Sequence, residues 1–336
     1  MNMKLWLEEV KNSKIKKPMP VLSFPSVSLL GVSVKEITAN SDLQAKGMSL
    51  IAKKYDTLAS VSMMDLSVEA QAFGAQVRFS DDEVPTVVGA LITSLEEADA
   101  LQIPSVSAGR CPIYVEAIKK AKELITDRPV FAGVIGPFSL AGRLMDVSEA
   151  MINCYDDPDM VHVVLQKVSD FIIQYINEYK KVGANGVFMA EPLAGMLSPY
   201  LVEEFSETYV KRIVDAVQTD DFLVIYHNCG DNILLMTDSI LRTGSAAYHF
   251  GNSVKMSDML KKMPQDIVVM GNVDPANQIC NGTPQSVKES TTEIMNECCG
   301  YANFVISSGC DIPPASPWSN IEAFFDAVND YYSQNK

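Results

Sequence analysis

The feature that most limits what this chain can become is a regular alternation. Short β-branched and aromatic runs at residues 20–23, 58–64, 130–135, 186–190, 222–227, 246–249, 267–271 and 303–307 are separated by longer stretches. Most of those stretches have helical periodicity, clearest at 158–182, 199–217 and 284–298. Alternating strand and helix implies parallel strands, because each crossover returns the chain to the same end of the sheet. Eight such strands predict closure into a (β/α)8 TIM-type barrel, a single α/β domain over residues 1–336. The 47% of hydrophobic residues is enough for one large core.

The helix punctuation supports this reading. Asp157-Pro158, Ser198-Pro199 and Thr283-Pro284 each place a capping side chain before a proline at the first helical position. Gly183 ends a long helical pattern just before a buried run, where a left-handed C-cap is needed. Residues 1–19 read as an N-terminal extension. Residues 65–128 do not form one tidy strand–helix unit, and the alternating stretch at 73–79 reads as a short strand or hairpin arm. This elaborated loop region is expected to sit on the barrel as a lid.

Several function classes are excluded by composition. The formal net charge is −15. An acidic surface repels phosphate backbones and anionic lipid, so neither nucleic acid nor membrane is expected as a partner. No apolar run approaches the roughly 20 residues of a membrane-spanning helix. The first twenty residues lack a continuous apolar signal core, so a cytoplasmic location is expected. Neither G-x-G-x-x-G nor a phosphate-loop pattern occurs, which argues against a nucleotide cofactor. The seven cysteines are odd in number and irregular in spacing. In a reduced compartment they serve packing, metal binding or catalysis.

Two segments carry the chemistry. The apolar run 223–226 leads into His227-Asn-Cys229-Gly230. Side chains two apart on an extended chain share a face, so His227 and Cys229 can grip one ion while Gly230 turns the chain away. The run 304–308 leads in the same way into Gly309-Cys310-Asp311-Ile312-Pro313. Both motifs fall at strand exits, the end where barrel enzymes place their sites. A set of two thiolates and one imidazole suits zinc, and three protein ligands leave a fourth position open. On the residues alone, ordinary packing of a histidine and two cysteines remains the alternative.

His227-Asn-Cys229-Gly230 and the run from Ser308 to Ile321, Ser-Gly-Cys-Asp-Ile-Pro-Pro-Ala-Ser-Pro-Trp-Ser-Asn-Ile, resemble the uroporphyrinogen decarboxylase superfamily. Within it they resemble the methylcobamide:coenzyme M methyltransferase branch. Met189-Ala-Glu191-Pro, Gly271-Asn272-Val-Asp274-Pro275 and Met64-Asp65-Leu-Ser-Val-Glu69 extend the likeness over residues 20–330. The resemblance implies zinc on His227, Cys229 and Cys310. It implies a methylcobamide delivered by a corrinoid protein as methyl donor, and a thiol such as coenzyme M, or tetrahydrofolate, as acceptor. True decarboxylases carry Gln-Ala-Gly-Arg near the N-terminus, whose arginine meets the porphyrinogen carboxylates. The corresponding stretch here, residues 24–31, has no arginine. The competing readings are a metal-free decarboxylase-like lyase and a non-enzymatic corrinoid-binding partner. Stoichiometric zinc separates the first, and methyl transfer the second.

The remaining candidates lie at other strand exits. Glu191 is expected as a catalytic proton acceptor or fourth zinc ligand, against a loop hydrogen bond to backbone N–H groups. Asp65 is expected to face the pocket or to cap the next helix. Glu69 shares its face if that segment is helical. His249, Asn272 and Asp274 are expected to line the substrate pocket or to shape its loops. His162, Cys111, Cys154, Cys280, Cys298 and Cys299 read as structural.

Overall fold

The computed structural model describes residues 1–334. Its strands are β1 (Ser60–Val61), β2 (Gln76–Arg78), β3 (Thr86–Val88), β4 (Val130–Ile135), β5 (Gly186–Ala190), β6 (Leu223–Asn228), β7 (Ala247–Phe250), β8 (Val268–Val273) and β9 (Phe304–Ser308). Seven of them form one parallel sheet in the order β1-β4-β5-β6-β7-β8-β9, and β2 and β3 form a separate antiparallel hairpin. The chain folds as a (β/α)8-type barrel with helices packed around the curled sheet.

The expected first strand, residues 20–23, is corrected by the structure. This segment is extended but does not pair as a ladder. Met19 N–H donates to Ile306 at 3.0 Å, Leu58 N–H to Pro18 at 2.9 Å, and Ile312 N–H to Val21 at 3.0 Å. Side chains complete the seam, with Ser23 Oγ donating to the Val61 carbonyl and Val21 N–H donating to Ser308 Oγ. The segment therefore fills the eighth place between β9 and β1. Backbone groups that a regular strand would have paired with backbone go partly to serine hydroxyls, which satisfies them equally well.

The barrel interior is a cluster separate from the outer core. Phe131, Phe188, Leu223, Ile225, Ala247, Val268, Met270 and Val305 meet there, each on the inward parity of its strand. The extension at 1–19 supplies the rest. The helix Met3–Asn12 buries Met3, Trp6, Leu7 and Val10 in the same cluster, with the Trp6 and Phe131 rings 5.9 Å apart. Two hydrogen bonds to the Asp220 carbonyl, just before β6, anchor its start. This helix plugs the N-terminal end of the barrel, so the open end is the one where the strands exit.

The outer helices follow the expected caps. Asp157, Ser198 and Thr283 each accept an N–H of the helix they begin. The stretch 199–217 is not one helix, however. A π-helical turn at Glu203–Glu207 separates Pro199–Val202 from Thr208–Val217, and both glutamates that bound the turn pair with Arg242. The elaborated region holds the β2–β3 hairpin and the helices Val68–Ala72, Leu95–Ala100 and Cys111–Leu124.

If the N-terminal helix is part of the barrel core, Trp6→Ala will lower the unfolding free energy by about 3 kcal/mol or more in denaturant titration. A loss below about 1 kcal/mol would show that the helix is a dispensable appendage.

Candidate metal centre

Inward parity decides what meets at the open end. On β6, Leu223, Ile225 and His227 face the interior; on β7, Ala247 and His249 do. The two histidines are register partners on adjacent strands. Cys229 follows β6 by one residue and Cys310 follows β9 by two. The ligand atoms of His227, Cys229 and Cys310 all lie within 4.8 Å of one another, and among the described residues this is the His/Cys/Asp/Glu group with the geometry to hold an ion. Cys310 Sγ is 3.5 Å from His227 Nε2. The approach depends on Gly251, since a Cβ there would stand 2.3 Å from Cys229 Cβ.

The direction of one hydrogen-bond chain sets the His227 tautomer. Ser307 Oγ lies 2.7 Å from the Met19 carbonyl oxygen, which can only accept, so the serine proton points there. Ser307 Oγ can then only accept from His249 Nε2, at 2.8 Å. His249 is fully buried, and burial, reinforced by His227, pushes its pKa well below the usual histidine value. It is therefore neutral, and its Nδ1 carries a lone pair. The 2.8 Å contact between the two Nδ1 atoms then requires His227 to donate from Nδ1. In the neutral imidazole His227 Nε2 then carries the lone pair on the side of the cysteines, which is the form a metal-binding imidazole must take.

The two thiols sit side by side. The Cys310 thiol draws the Cys229 pKa below the ordinary thiol value, and Cys229 together with burial pushes Cys310 up to about 12. Ionising both requires a cation between them. The donor set is thus one preset imidazole and two thiols that favour a soft divalent ion.

The other candidates are placed elsewhere, and several need correction. His249 does not line a substrate pocket; both ring nitrogens are occupied and it stands behind His227. Glu191 is fully buried, and its two oxygens accept from Phe138 N–H at 3.0 Å and Ser139 N–H at 2.6 Å. Its carboxylate caps the helix Pro137–Met145 rather than joining the ion group. Burial pushes its pKa up to about 7 against the pull of those N–H groups. Asn272 donates to the Gly251 and Val254 carbonyls, and Asp274 caps the turn Pro275–Cys280. Both border a separate cavity of about 340 Å³ beside the helix Pro284–Cys298.

Asp65 lies in a closed ion pair. Arg110 donates to it and also to Ser67 and Gln71, and Tyr114 and Ser67 hydroxyls add bonds of 2.7 and 2.6 Å. Glu69 is buried nearby, with one oxygen accepting Ile135 N–H at 3.0 Å. Burial pushes its pKa up to about 7. Arg110 was not singled out in the sequence. It lies 45 positions from its partner and carries no local signal.

The family model for uroporphyrinogen decarboxylase (URO-D) matches residues 25–331. The chain belongs to this family. Among curated members, the methylcobamide:CoM methyltransferase of Methanosarcina mazei is 27% identical over 274 residues, covering 80% of this chain and 78% of that protein. A uroporphyrinogen decarboxylase of Prochlorococcus marinus is 28% identical over 247 residues, covering 70% and 68%. A solved methyltransferase from Methanosarcina mazei shares the fold, with a TM-score of 0.85 over 98% of both chains at 22% identity. Both sets of relatives are enzymes, so membership makes this URO-D chain a member of an enzyme family.

Glu69 gives a pH test of the buried carboxyls. A carboxyl whose folded pKa is raised contributes stability below its unfolded value, and that contribution is lost as pH rises through the folded value. For Glu69 the window runs from about pH 4.5 to about pH 7. Glu69→Gln keeps an acceptor for Ile135 N–H and removes the charge. It is expected to remove a loss on the order of 3 kcal/mol across that window in unfolding titrations. An unchanged slope would show that Glu69 is ionised at no cost in the folded protein.

Proposed function

We propose that this URO-D family member is a zinc-dependent methyltransferase that moves a methyl group from a methylated corrinoid to a thiol such as coenzyme M, or to tetrahydrofolate. The observation that carries the reading is the convergence of His227 Nε2, Cys229 Sγ and Cys310 Sγ within 4.8 Å at the open end of the barrel. His227, Cys229 and Cys310 would hold the zinc, with the fourth position left for the acceptor. Zinc held there would favour the thiolate form of a coordinated acceptor thiol and so supply a nucleophile at neutral pH.

The residues around the ligands do the positioning. Two cysteine thiolates balance the charge of the ion and keep the centre soft, which suits sulfur over water. His249 and Ser307 hold the imidazole in its ligating tautomer. The corrinoid, carried by its own protein, meets the barrel at the rim of strand exits. The acceptor sulfur takes the methyl carbon, the carbon–cobalt bond breaks, and both electrons of that bond stay on cobalt.

The similarity to uroporphyrinogen decarboxylases favours a second reading, a metal-free lyase. Charge at the barrel mouth argues against it. The arginine-free stretch folds as the short helix Ser26–Leu30, and Arg110 is already committed to Asp65. A substrate rich in carboxylates would be buried with little to neutralise it.

Purified protein is expected to hold about one zinc per chain. Cys229→Ala and Cys310→Ala should each abolish retention, and His249→Ala should weaken zinc affinity by roughly 10- to 100-fold. Methyl transfer from free methylcobalamin to a thiol, followed by the corrinoid absorbance change, should stop on chelation and return with zinc. Metal-replete protein without zinc, or transfer that survives chelation, would overturn the proposal.

A further inference from the structure

Arginine is the side chain whose charge cannot be switched off, so an arginine without a partner inside a cavity points to a missing anion. The chain has six arginines. Arg110, Arg128, Arg212 and Arg242 are ion-paired, and Arg78 is exposed on the hairpin. Arg143, near the end of the helix Pro137–Met145, is half-buried and has no hydrogen bond or ion pair among the described residues. Burial alone moves its pKa, and it moves it downward, as expected for a cation with no counter-charge.

Arg143 lines a pocket of about 220 Å³. The other walls are Met64, Leu66 and Ser67 from the loop after β1, and residues 84–87 leading into the second arm of the hairpin. The cover is fixed in place, since Leu91 and Ile92 N–H groups both donate to the Leu144 carbonyl beside Arg143. The pocket is also tied to the metal centre. Met64 N–H donates to Asp311 Oδ2 at 3.1 Å, and Asp311 follows Cys310 in sequence. Met64 sulfur lies over Gly133, where a Cβ would be 2.6 Å away, so the wall reaches the barrel interior.

We propose that this pocket is the subsite for an anionic headgroup, a carboxylate or a sulfonate, carried by the methyl acceptor, with Arg143 as the residue that selects it. The assignment of the anion to the acceptor rests on the methyltransferase reading; the anion site itself does not. A chain of net charge −15 repels small anions at long range, so an acidic acceptor needs a local cation of this kind. The guanidinium can offer two parallel N–H donors to an oxyanion, and a neutral acceptor would leave it buried and unpaired. The larger cavity beside Asn272 lacks this feature, because its Lys255 is paired with Glu297.

The test has two arms on the full chain. In zinc-free protein, ethanesulfonate and propionate are titrated calorimetrically, with 1-propanol as the neutral control. Both anions should bind the wild type more tightly than propanol, by at least about tenfold. Arg143→Gln should lose that preference and Arg143→Lys should keep part of it, with circular dichroism and zinc stoichiometry unchanged in both. In zinc-loaded protein, 3-mercaptopropionate should show a lower KM than 2-mercaptoethanol in methyl transfer, and Arg143→Gln should equalise the two. Equal binding of anion and alcohol by the wild type, or a preference that persists in Arg143→Gln, would overturn the proposal. Arg143-dependent anion binding without any methyl transfer would uphold the anion site, remove its assignment to a methyl acceptor, and count against the methyltransferase reading.

Discussion

The Met19 carbonyl oxygen can only accept a hydrogen bond, and the chemistry of the candidate centre depends on that one constraint. It takes the Ser307 proton, Ser307 takes the proton of His249 Nε2, and His249 takes that of His227 Nδ1. The result is that the neutral His227 ring holds its lone pair on Nε2, the nitrogen beside Cys310 and Cys229. Each link lies inside the barrel where water cannot substitute, so the order of donors and acceptors is set by the fold. The irregular N-terminal segment in the eighth strand position is what brings Met19 to this place. A regular ladder strand would have committed its carbonyls to backbone partners.

The open end of the barrel is built around charge that is either fully matched or conspicuously unmatched. Asp65 and Arg110 form a buried pair in which both members also hydrogen-bond to neutral neighbours. Such a pair costs desolvation but fixes the geometry of what it joins, here the loop after β1 and the start of the helix Cys111–Leu124. Phe79, beyond the first arm of the hairpin, covers the Arg110 guanidinium at 4.9 Å. With that cation spent on structure, Arg143 carries the proposed anion site, and His227, Cys229 and Cys310 form the group with the geometry to hold an ion.

Much of this was legible in the sequence because the relevant rules are local. The period of two along a strand puts His227 beside Cys229, and the Gly-Cys at the exit of the last strand supplies the third donor. Proline after Asp157, Ser198 and Thr283 marked helix starts that the structure keeps. What could not be read was long-range. Residues 20–23 have strand character but pair partly through serine side chains, which composition does not reveal. His249 and Glu191 occur at strand exits, as functional residues do. Yet His249 is turned onto His227, and Glu191 meets the N-terminus of a helix that begins more than fifty residues earlier. The Asp65–Arg110 pair and the solitude of Arg143 are properties of packing, and no spacing in the chain announces them.

The most direct test of the centre is the optical spectrum of cobalt(II)-substituted protein. One site with two thiolate ligands predicts sulfur-to-cobalt charge-transfer absorption in the near ultraviolet and visible bands of tetrahedral intensity. Where Cys229→Ala or Cys310→Ala still binds cobalt, each should keep roughly half of the charge-transfer absorption. Cobalt bound without charge-transfer absorption, or absorption that neither substitution changes, would show that these residues do not form one metal centre.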